Sequence, residues 1–402
     1  MKNTYKVTVL GDIMCEPALL KQVTNENGFD FAPVFSPLKG LITEADYVIA
    51  NLETPLAGKD AGYTDSLVSF NTPDELAHTL ADIGVDCVST ANNHCFDRSL
   101  AGNARTLRVL DEVGIAHTGS YASDKEKDRI HYFTLGGAKI AVIAYTYTTN
   151  EYIRGEDGRI IDTCVNLLRP GEGVKGYKPH PKILEDTKAY IAKIFGRKLT
   201  WEEDIGLRRV LGIPVGYGDN VLEPEKYAPY LEKLKADMEE ARRNADLILY
   251  LPHVGGQFNT EPGTFSSYMI FRGAEYGADA VFAAHSHTTQ CADYVLGKPC
   301  FYSLGNVSMW PHSTYSVVET LPEYGLAAHI YISEKKIVKT TFSVFKMVQD
   351  DDTPLHIVPT DELYVSLTDE VQKETLADEV ASIVRRVTKR DTDGIIRREY
   401  EI

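Results

Sequence analysis

Short apolar, β-branched runs recur along the chain and alternate with stretches whose apolar residues have helical spacing. Five of these runs stand out in YKVTVLGD, ADYVIANLE, VDCVSTANNH, DLILYLPH and DAVFAAHSH. Each is apolar enough to be a strand inside a sheet, and the stretches between them predict crossover helices. The pattern therefore predicts an α/β architecture.

Glycines mark the expected ends of several helices. The sequence Thr72-Pro73-Asp74-Glu75 is typical of a capping box with proline in the first turn, and the helix that it opens should end at Gly84. Two further amphipathic stretches should end in the same way at Gly114 and Gly277. Later in the chain, LAAHIYIS and KIVKTTFSVFKMV predict paired strands, and 368–390 predicts a closing surface helix.

Residues 151–225 differ from the rest because they are rich in Tyr, Lys, Gly and Pro and interrupt the alternation. We expect an inserted cap over the sheet edge, with an ordinary surface excursion as the alternative. The remaining chain is expected to form one domain over 1–325, which the strands and helix of 326–402 complete.

Composition limits the classes of function. The chain has 402 residues, 43% of them hydrophobic and 25% charged, which suits a globular protein with a sizeable core. Its 58 acidic and 42 basic residues give a net charge of −16, so we expect neither a nucleic-acid nor an anionic-membrane partner. Six cysteines without C-x-x-C spacing favour a reduced compartment. Because the sequence has no apolar run of signal-peptide or membrane-spanning length, we expect a cytoplasmic protein; the oligomeric state is left open.

Candidate metal ligands follow the apolar runs, one to five positions after each run ends. The carboxyl edge of strands is where ligand crevices form in open α/β sheets, so five segments should converge on one place. The residues concerned are Asp12, Glu53, Asn93, His94, His253, His285 and His287.

Each of these residues has an ordinary explanation when it is taken alone. A strand-end Asp or Asn is usually a turn or capping residue, and a lone His is usually a hydrogen-bonded residue of the partial core. Their joint occurrence favours a metal site. A mixed set of oxygen and nitrogen donors suits Mn, Fe, Zn or Mg better than thiolate-seeking metals.

Seven segments resemble the bacterial CapA capsule-synthesis proteins, also called poly-γ-glutamate biosynthesis proteins, and occur in that family's order. They cover roughly 5–150 and 245–310 and read GDIM, ANLETPL, FNTPDEL, STANNHCFD, PHVGGQF, GADAVFAAHSHTTQ and PCFYSLGN. The resemblance implies a calcineurin-like metallophosphoesterase fold, in which two mixed β-sheets pack together with helices outside.

The resemblance also implies roles for the candidate residues. Glu53 would bridge two metal ions. Asn93, His253 and His285 would complete one ion, and Asp12 and His287 would hold the other. His94 would act as an acid without binding metal. Asn51, Asn92 and Asn306 would line the same edge, near the metal ligands or the substrate.

Met14 departs from the family pattern, which usually has a histidine two residues after the first aspartate. A thioether is a weak donor for hard or borderline ions, so the Asp12/His287 site should bind its ion more weakly than the other site. Either one or two divalent ions are therefore compatible with the sequence.

The resemblance favours a hydrolase that acts through a metal-activated water on a phosphoester or on a γ-glutamyl or other peptide-type substrate. Three alternatives stay open: an accessory protein of poly-γ-glutamate or capsule synthesis, a metal-dependent peptide epimerase that transfers a proton at carbon, and a metal-binding protein without turnover. The expected partner is a small molecule, a peptide or poly-glutamate.

Overall fold

The computed structural model describes residues 3–123, 130–151, 162–170, 182–197, 222–311, 313, 315–349 and 354–402, with single positions at 203, 207, 210, 211 and 219. The cap predicted for 151–225 lies largely outside the described residues. Within that region the structure describes 162–170, 182–197 and 222–225 as continuous stretches.

The described residues form strands and α-helices in alternation over most of the chain. The strands are β1 (Tyr5–Ile13), β2 (Thr24–Asn25), β3 (Gly28–Phe29), β4 (Tyr47–Leu52), β5 (Cys87–Ser89), β6 (Ala116–Thr118), β7 (His131–Leu135), β8 (Ala138–Thr146), β9 (Leu247–His253), β10 (Ala280–Phe282), β11 (Ala292–Val295), β12 (Lys298–Phe301), β13 (Asn306–Ser308), β14 (Tyr324–Ser333), β15 (Lys336–Val348), β16 (His356–Pro359) and β17 (Tyr400–Glu401). The α-helices are α1 (Pro17–Val23), α2 (Ala32–Phe35), α3 (Lys39–Ile42), α4 (Glu75–Ile83), α5 (Ser99–Val113), α6 (Lys182–Phe195), α7 (Pro224–Asn244), α8 (Thr264–Glu275), α9 (Thr360–Ser366) and α10 (Glu370–Thr388).

Two mixed sheets carry the fold. The first has the order β16-β15-β14-β1-β4-β5-β6, with β13 beside the end of β1 and β17 beside β15. Its strands β1, β4, β5 and β6 are parallel, whereas β14, β15 and β16 are antiparallel. The second sheet has the order β11-β12-β10-β9-β8-β7, with four parallel strands between two antiparallel edges.

The two sheets pack face to face because alternate residues of each strand are apolar on the inner side. Val9 and Ile49 of the first sheet share one buried cluster with Ile140 and Leu249 of the second. Ala50, the neighbour of Ile49, belongs instead to the cluster formed with the helices of the first hundred residues. Helices α7 and α8 cover the outer face of the second sheet. The predicted sandwich of two mixed sheets with flanking helices is confirmed.

The parallel strands of both sheets deliver their carboxyl ends to a common edge. Asp12 of β1 is in register with Asn51 of β4 on one side and with Asn306 of β13 on the other. Glycine is needed where β1 and the start of β13 meet, because a Cβ on Gly11 would lie 1.9 Å from the carbonyl oxygen of Gly305. All five predicted strands exist, and each ends next to its predicted candidate residues.

The segments after residue 325 join the first sheet. Strand β14 pairs with β1 from Tyr5↔Ile332 to Leu10↔Ala327, and β15 pairs with β14. The predicted surface helix is α10, which buries Leu376, Val380 and Ile383 along one face. Among the helices described, none is long and apolar enough to cross a membrane.

Candidate metal centre

All seven predicted strand-end residues come together at the shared edge, and each has at most 4% of its surface exposed. Asp12 lies in β1, Glu53 follows β4, and His253 ends β9. The other four lie in the loops after β5 and β10: Asn93, His94, His285 and His287.

His253 lies at the centre of one group of donor atoms. Its Nε2 is 2.7 Å from Oδ1 of Asn93, 3.1 Å from Nδ1 of His285 and 3.2 Å from Oε1 of Glu53. Ligand atoms around an ion with bonds of about 2.1 Å are separated by roughly 3 to 3.4 Å. The spacing of these four side chains therefore fits ligands that face a shared ion.

Asp12 and His287 form a second group, which two asparagines orient. Oδ1 of Asp12 accepts a hydrogen bond from Nδ2 of Asn51 at 2.7 Å, and Oδ2 accepts one from the backbone N–H of His285 at 3.0 Å. Nδ1 of His287 lies 3.4 Å from Oδ2 of Asp12 and 3.0 Å from Oδ1 of Asn306. This leaves Nε2 of His287 buried and without a hydrogen-bond partner among the described residues.

Glu53 gives the strongest indication of a metal ion. Both carboxylate oxygens are buried, and neither has a hydrogen-bond partner in the described part of the chain. The 3.2 Å contact with His253 does not satisfy Oε1, because Nε2 of that histidine is already directed to Asn93. A buried carboxylate in this state is costly unless a cation compensates it.

Two sets of three side chains could each hold an ion. Within each set, one donor atom per side chain lies within 4.8 Å of the donor atoms of the other two. One is Glu53, His285 and His287; the other is Asp12, Glu53 and His253. Glu53 belongs to both, as expected for a bridging ligand. The sets do not follow the predicted division of ligands between two ions, so that division and the number of ions stay predictions.

Burial and neighbouring charges shift the protonation of the site. Burial, together with the charge of Asp12, raises the pKa of Glu53 well above its usual value. Burial also lowers the pKa of His253 to about 4, against the opposing effect of Asp12, and lowers that of His285 well below 6.5. These two imidazoles are therefore neutral near pH 7, which is the form that binds metal.

Asp12 and His287 are shifted toward an ion pair. Burial would raise the pKa of Asp12, but its hydrogen bond with His287 and the charges of both neighbouring histidines lower it overall. Burial would lower the pKa of His287, yet Glu53 and Asp12 raise it overall. Any cation bound here would compete with protonation of His287.

His94 stands beside these groups and is oriented by Asp97. Its Nδ1 lies 2.6 Å from Oδ2 of Asp97, its backbone N–H donates to Oδ1 of Asn92 at 3.1 Å, and its ring packs on Phe70. Since a carboxylate only accepts, the proton sits on Nδ1 and Nε2 is left as an acceptor. Burial lowers the pKa of His94 despite the opposing effect of Asp97, so the imidazole is neutral near pH 7.

The three predicted lining asparagines are buried at the same edge. Asn92 donates from Nδ2 to the carbonyl of Leu52 at 2.8 Å, and Nδ2 of Asn306 donates to the carbonyl of His287 at 2.9 Å. Asn51 reaches Asp12 and lies 3.3 Å from Nδ1 of His253. They hold the candidate ligands in place, which is the contribution expected of groups behind a metal site.

The loop that carries His285 and His287 is strained. Their φ angles are +100° and +53°, values that residues other than glycine rarely adopt. Such backbone persists only where surrounding contacts fix it, and it is concentrated at functional sites. The amide of His285 bonded to Asp12 and the side chain of His287 bonded to Asn306 are two of those contacts.

Several residues of the site were not predicted. Asp97 lies in the quoted stretch STANNHCFD, and its spacing of three from His94 was the available signal. The ring of Tyr147 packs against His285 with centroids 4.5 Å apart, and the backbone N–H of Asn150 donates to the carbonyl of Asn93 at 2.7 Å. Tyr147 and Asn150 follow strand β8, whose carboxyl end has no charged residue and no histidine to mark it as a candidate.

Two mixed sheets with flanking helices form an α/β sandwich, and the buried set of histidines and carboxylates at their common edge could hold a metal ion. Residues 6–309 match the family described as bacterial capsule synthesis protein PGA_cap. The chain belongs to this family.

Two capsule-synthesis relatives are distant in sequence. The chain is 22% identical to "PGA biosynthesis protein CapA" of Bacillus subtilis (strain 168) over 306 residues, and this aligned region covers 76% of the chain and 63% of that protein. It is 22% identical over 303 residues to "Capsule biosynthesis protein CapA" of Bacillus anthracis, covering 75% and 58%. The chain thus spans less than two thirds of the length of these relatives. A crystal structure of a hypothetical protein from Thermus thermophilus is similar over 88% of this chain and 97% of that one, with 16% identity and a TM-score of 0.39.

Proposed function

We propose that this protein is a metal-dependent hydrolase acting on a phosphoester or on a γ-glutamyl or other peptide-type bond. The observation that supports the proposal is Glu53, a fully buried carboxylate whose oxygens have no hydrogen-bond partner among the described residues while His253 lies 3.2 Å away. The substrate would be a small molecule, a peptide or poly-glutamate.

Glu53, His253 and His285 would hold the ion together with Asn93, and Asp12 and His287 would hold a second ion or fix the first. The cation would be Mn, Fe, Zn or Mg, because the donors are oxygens and imidazole nitrogens. When bound, it would supply Lewis-acid polarisation of a phosphoryl or carbonyl oxygen. The buried asparagines and the strained loop keep these side chains oriented before substrate arrives.

His94 would move the proton in this reaction. Its neutral Nε2 can take a proton from the attacking water and return it to the leaving oxygen or nitrogen. Asp97 holds the ring through Nδ1 and stabilises the imidazolium that forms between these two transfers. The role predicted for His94 as an acid thus requires that it first act as a base, because its lowered pKa leaves it neutral at rest.

Purified protein loaded with Mn²⁺, Zn²⁺ or Mg²⁺ should hydrolyse aryl phosphates or γ-glutamyl-p-nitroanilide, and chelator should abolish the reaction. His94→Ala should keep the metal content near wild type and lower kcat by ~10²–10⁴. The matched control is His117→Ala, at a histidine of β6 whose Nε2 lies 3.2 Å from Oδ1 of Asp111. Loss of metal from His94→Ala would show that His94 is a ligand.

Proton transfer at carbon is the second candidate, and the neutral Nε2 of His94 favours it, because such a reaction needs a base. Incubation of metal-loaded protein with peptides in D₂O tests it by deuterium uptake at the α-carbon. Deuterium uptake without hydrolysis would replace the hydrolase by an epimerase. Bound metal with neither reaction on any substrate would favour an accessory role in capsule or poly-γ-glutamate synthesis, as the names of the relatives suggest, or a binding protein without turnover.

A further inference from the structure

Arg169 lies at the edge of the candidate metal centre, on a segment that is fixed to both sheets. The backbone N–H of Asn166 donates to the carbonyl of Gly119 at 2.8 Å, and that of Leu168 donates to the carbonyl of Thr146 at 2.9 Å. Val165, Leu167 and Leu168 are buried. The backbone next to Arg169 is therefore held in place.

Two aromatic rings orient the guanidinium of Arg169. Its Cζ lies 4.7 Å from the ring centroid of Tyr147 and 5.3 Å from that of Phe265, and its Nε donates to the carbonyl of Tyr147 at 3.1 Å. Within the described parts of the chain, neither Nη1 nor Nη2 has a hydrogen-bond partner, and no carboxylate forms an ion pair with this side chain. A half-buried arginine is thus fixed in orientation with its outer nitrogens available.

One aromatic ring separates this cation from a candidate metal ligand. Tyr147 contacts Arg169 and also packs against the ring of His285 at 4.5 Å between centroids. Arg105, by contrast, forms two hydrogen bonds with the carboxylate of Asp74. In a chain of net charge −16, an arginine without an ion-pair partner beside the site is a local positive centre.

We propose that Arg169 is a specificity-determining residue that binds an oxyanion of the substrate, either a carboxylate or a phosphate, next to the bond held at the metal centre. A planar guanidinium with two available nitrogens makes paired hydrogen bonds to such a group, which an ammonium does not. This inference rests on the proposed function in one respect, namely that the substrate bond beside the bound oxyanion is the one that is hydrolysed. The binding of the anion itself does not depend on turnover.

The test measures binding by titration calorimetry on wild type, Arg169→Gln and Arg169→Lys, each metal-free and loaded with Mn²⁺. The probes are glutarate, inorganic phosphate and neutral glutaramide. Wild type should bind at least one of the two anions more tightly than glutaramide, and Arg169→Gln should weaken that anion roughly 10- to 100-fold, as expected for losing hydrogen bonds to a charged group. Arg169→Lys should recover only part of the affinity. The anion with the larger loss identifies the class.

Arg197→Gln is the matched control, because Arg197 is a surface arginine of the same region, paired with Glu203. It should bind both anions as wild type does. Equal anion binding by wild type and Arg169→Gln, or no anion binding by wild type, would overturn the inference.

Turnover separates this inference from the proposed function. If wild type hydrolyses γ-glutamyl-p-nitroanilide, Arg169→Gln should lower kcat/KM for it far more than for the α-carboxamide analogue, which lacks the carboxylate. Equal losses on both substrates would show a purely structural role and would also refute the inference. If no hydrolysis occurs while anion affinity still falls in Arg169→Gln, the hydrolase proposal fails and the anion site stands.

Discussion

Replacing Glu53 by Gln should have opposite effects on the metal-free and the metal-loaded protein. In the absence of a cation the Glu53 carboxylate is buried and has no hydrogen bonds from the described residues. Its burial, together with the charge of nearby Asp12, raises the pKa of Glu53. Glutamine has nearly the same volume and no charge. Its amide can donate toward Asp12, so the substitution removes an electrostatic cost without making a cavity.

The magnitude follows from two contributions. Leaving a buried polar atom without a partner costs roughly 1–3 kcal/mol, so metal-free Glu53→Gln should gain stability of about that size. Unfolding entropy of about 2.1 cal/mol/K per residue gives roughly 0.8 kcal/mol/K for this chain, so the midpoint should rise by ~1–4 °C. A metal at about a thousand times its Kd stabilises wild type by ~4 kcal/mol, and most of that gain should be lost in the variant.

The assay is thermal unfolding with chelator and with saturating Mn²⁺, beside calorimetric titration of the metal. Glu16→Gln is the matched control, since Glu16 is also buried but its oxygens accept from the backbone N–H of Trp310 at 2.6 Å and from Ser313 at 2.5 Å. That control should lower the metal-free midpoint and keep the metal-induced rise. A metal-free Glu53→Gln protein that is less stable than wild type, yet binds Mn²⁺ equally well, would refute the reasoning.

Three further predictions concern the weaker ion site, the loop and pH. Met14→His should raise bound metal from near one toward two ions per chain by elemental analysis, and a wild type that already holds two tight ions would contradict it. Arg386→Met should weaken metal affinity about 10-fold, because Nη1 of Arg386 donates to Oγ1 of Thr288 at 3.1 Å, one residue after His287. The neighbouring variant Arg385→Met is the control. Burial lowers the pKa of His329 from 6.5 to about 3. Between these pH values His329 binds a proton in the unfolded chain and stays neutral in the folded protein. The free energy of unfolding should therefore fall as pH falls from 6.5 toward 3, by up to ~1.4 kcal/mol per pH unit. Denaturant titrations at pH 7 and 5 should show a smaller loss for His329→Gln, and an unchanged loss would contradict this.

The strand ends could be predicted because the signal is local. An apolar run followed directly by Asp12 or His253 indicates both the strand and the side chain at its end, and parallel strands bring such ends to one edge. The register that places Asn51 and Asn306 on either side of Asp12 follows from the pairing of β4 and β13 with β1. Sequence order alone does not give that pairing.

Tertiary partners explain what local reasoning missed. The predicted capping box is wrong: α4 begins at Glu75, its N-cap has no side-chain hydrogen bond, and the hydroxyl of Thr72 lies 2.7 Å from that of Thr54. Asp74 pairs with Arg105 instead of capping the helix. Arg169 could not be singled out from the sequence for the same reason. Its proposed role depends on Tyr147, which lies between Arg169 and His285 in the folded protein.

The segment after the family match supports the site as directly as the matched residues do. The match ends at residue 309, yet β14 pairs with β1 along Tyr5–Leu10 and so fixes the strand that presents Asp12. A Cβ on Gly325 would lie 2.2 Å from the carbonyl oxygen of Asn306, so β14 also approaches β13 closely. Arg386 of α10 donates to the carbonyl of Thr320 at 2.8 Å and to Thr288, tying this region to the strained metal loop. Because a metal site tolerates little displacement of its ligands, we expect the metal affinity of this candidate centre to depend on residues outside the family match as well.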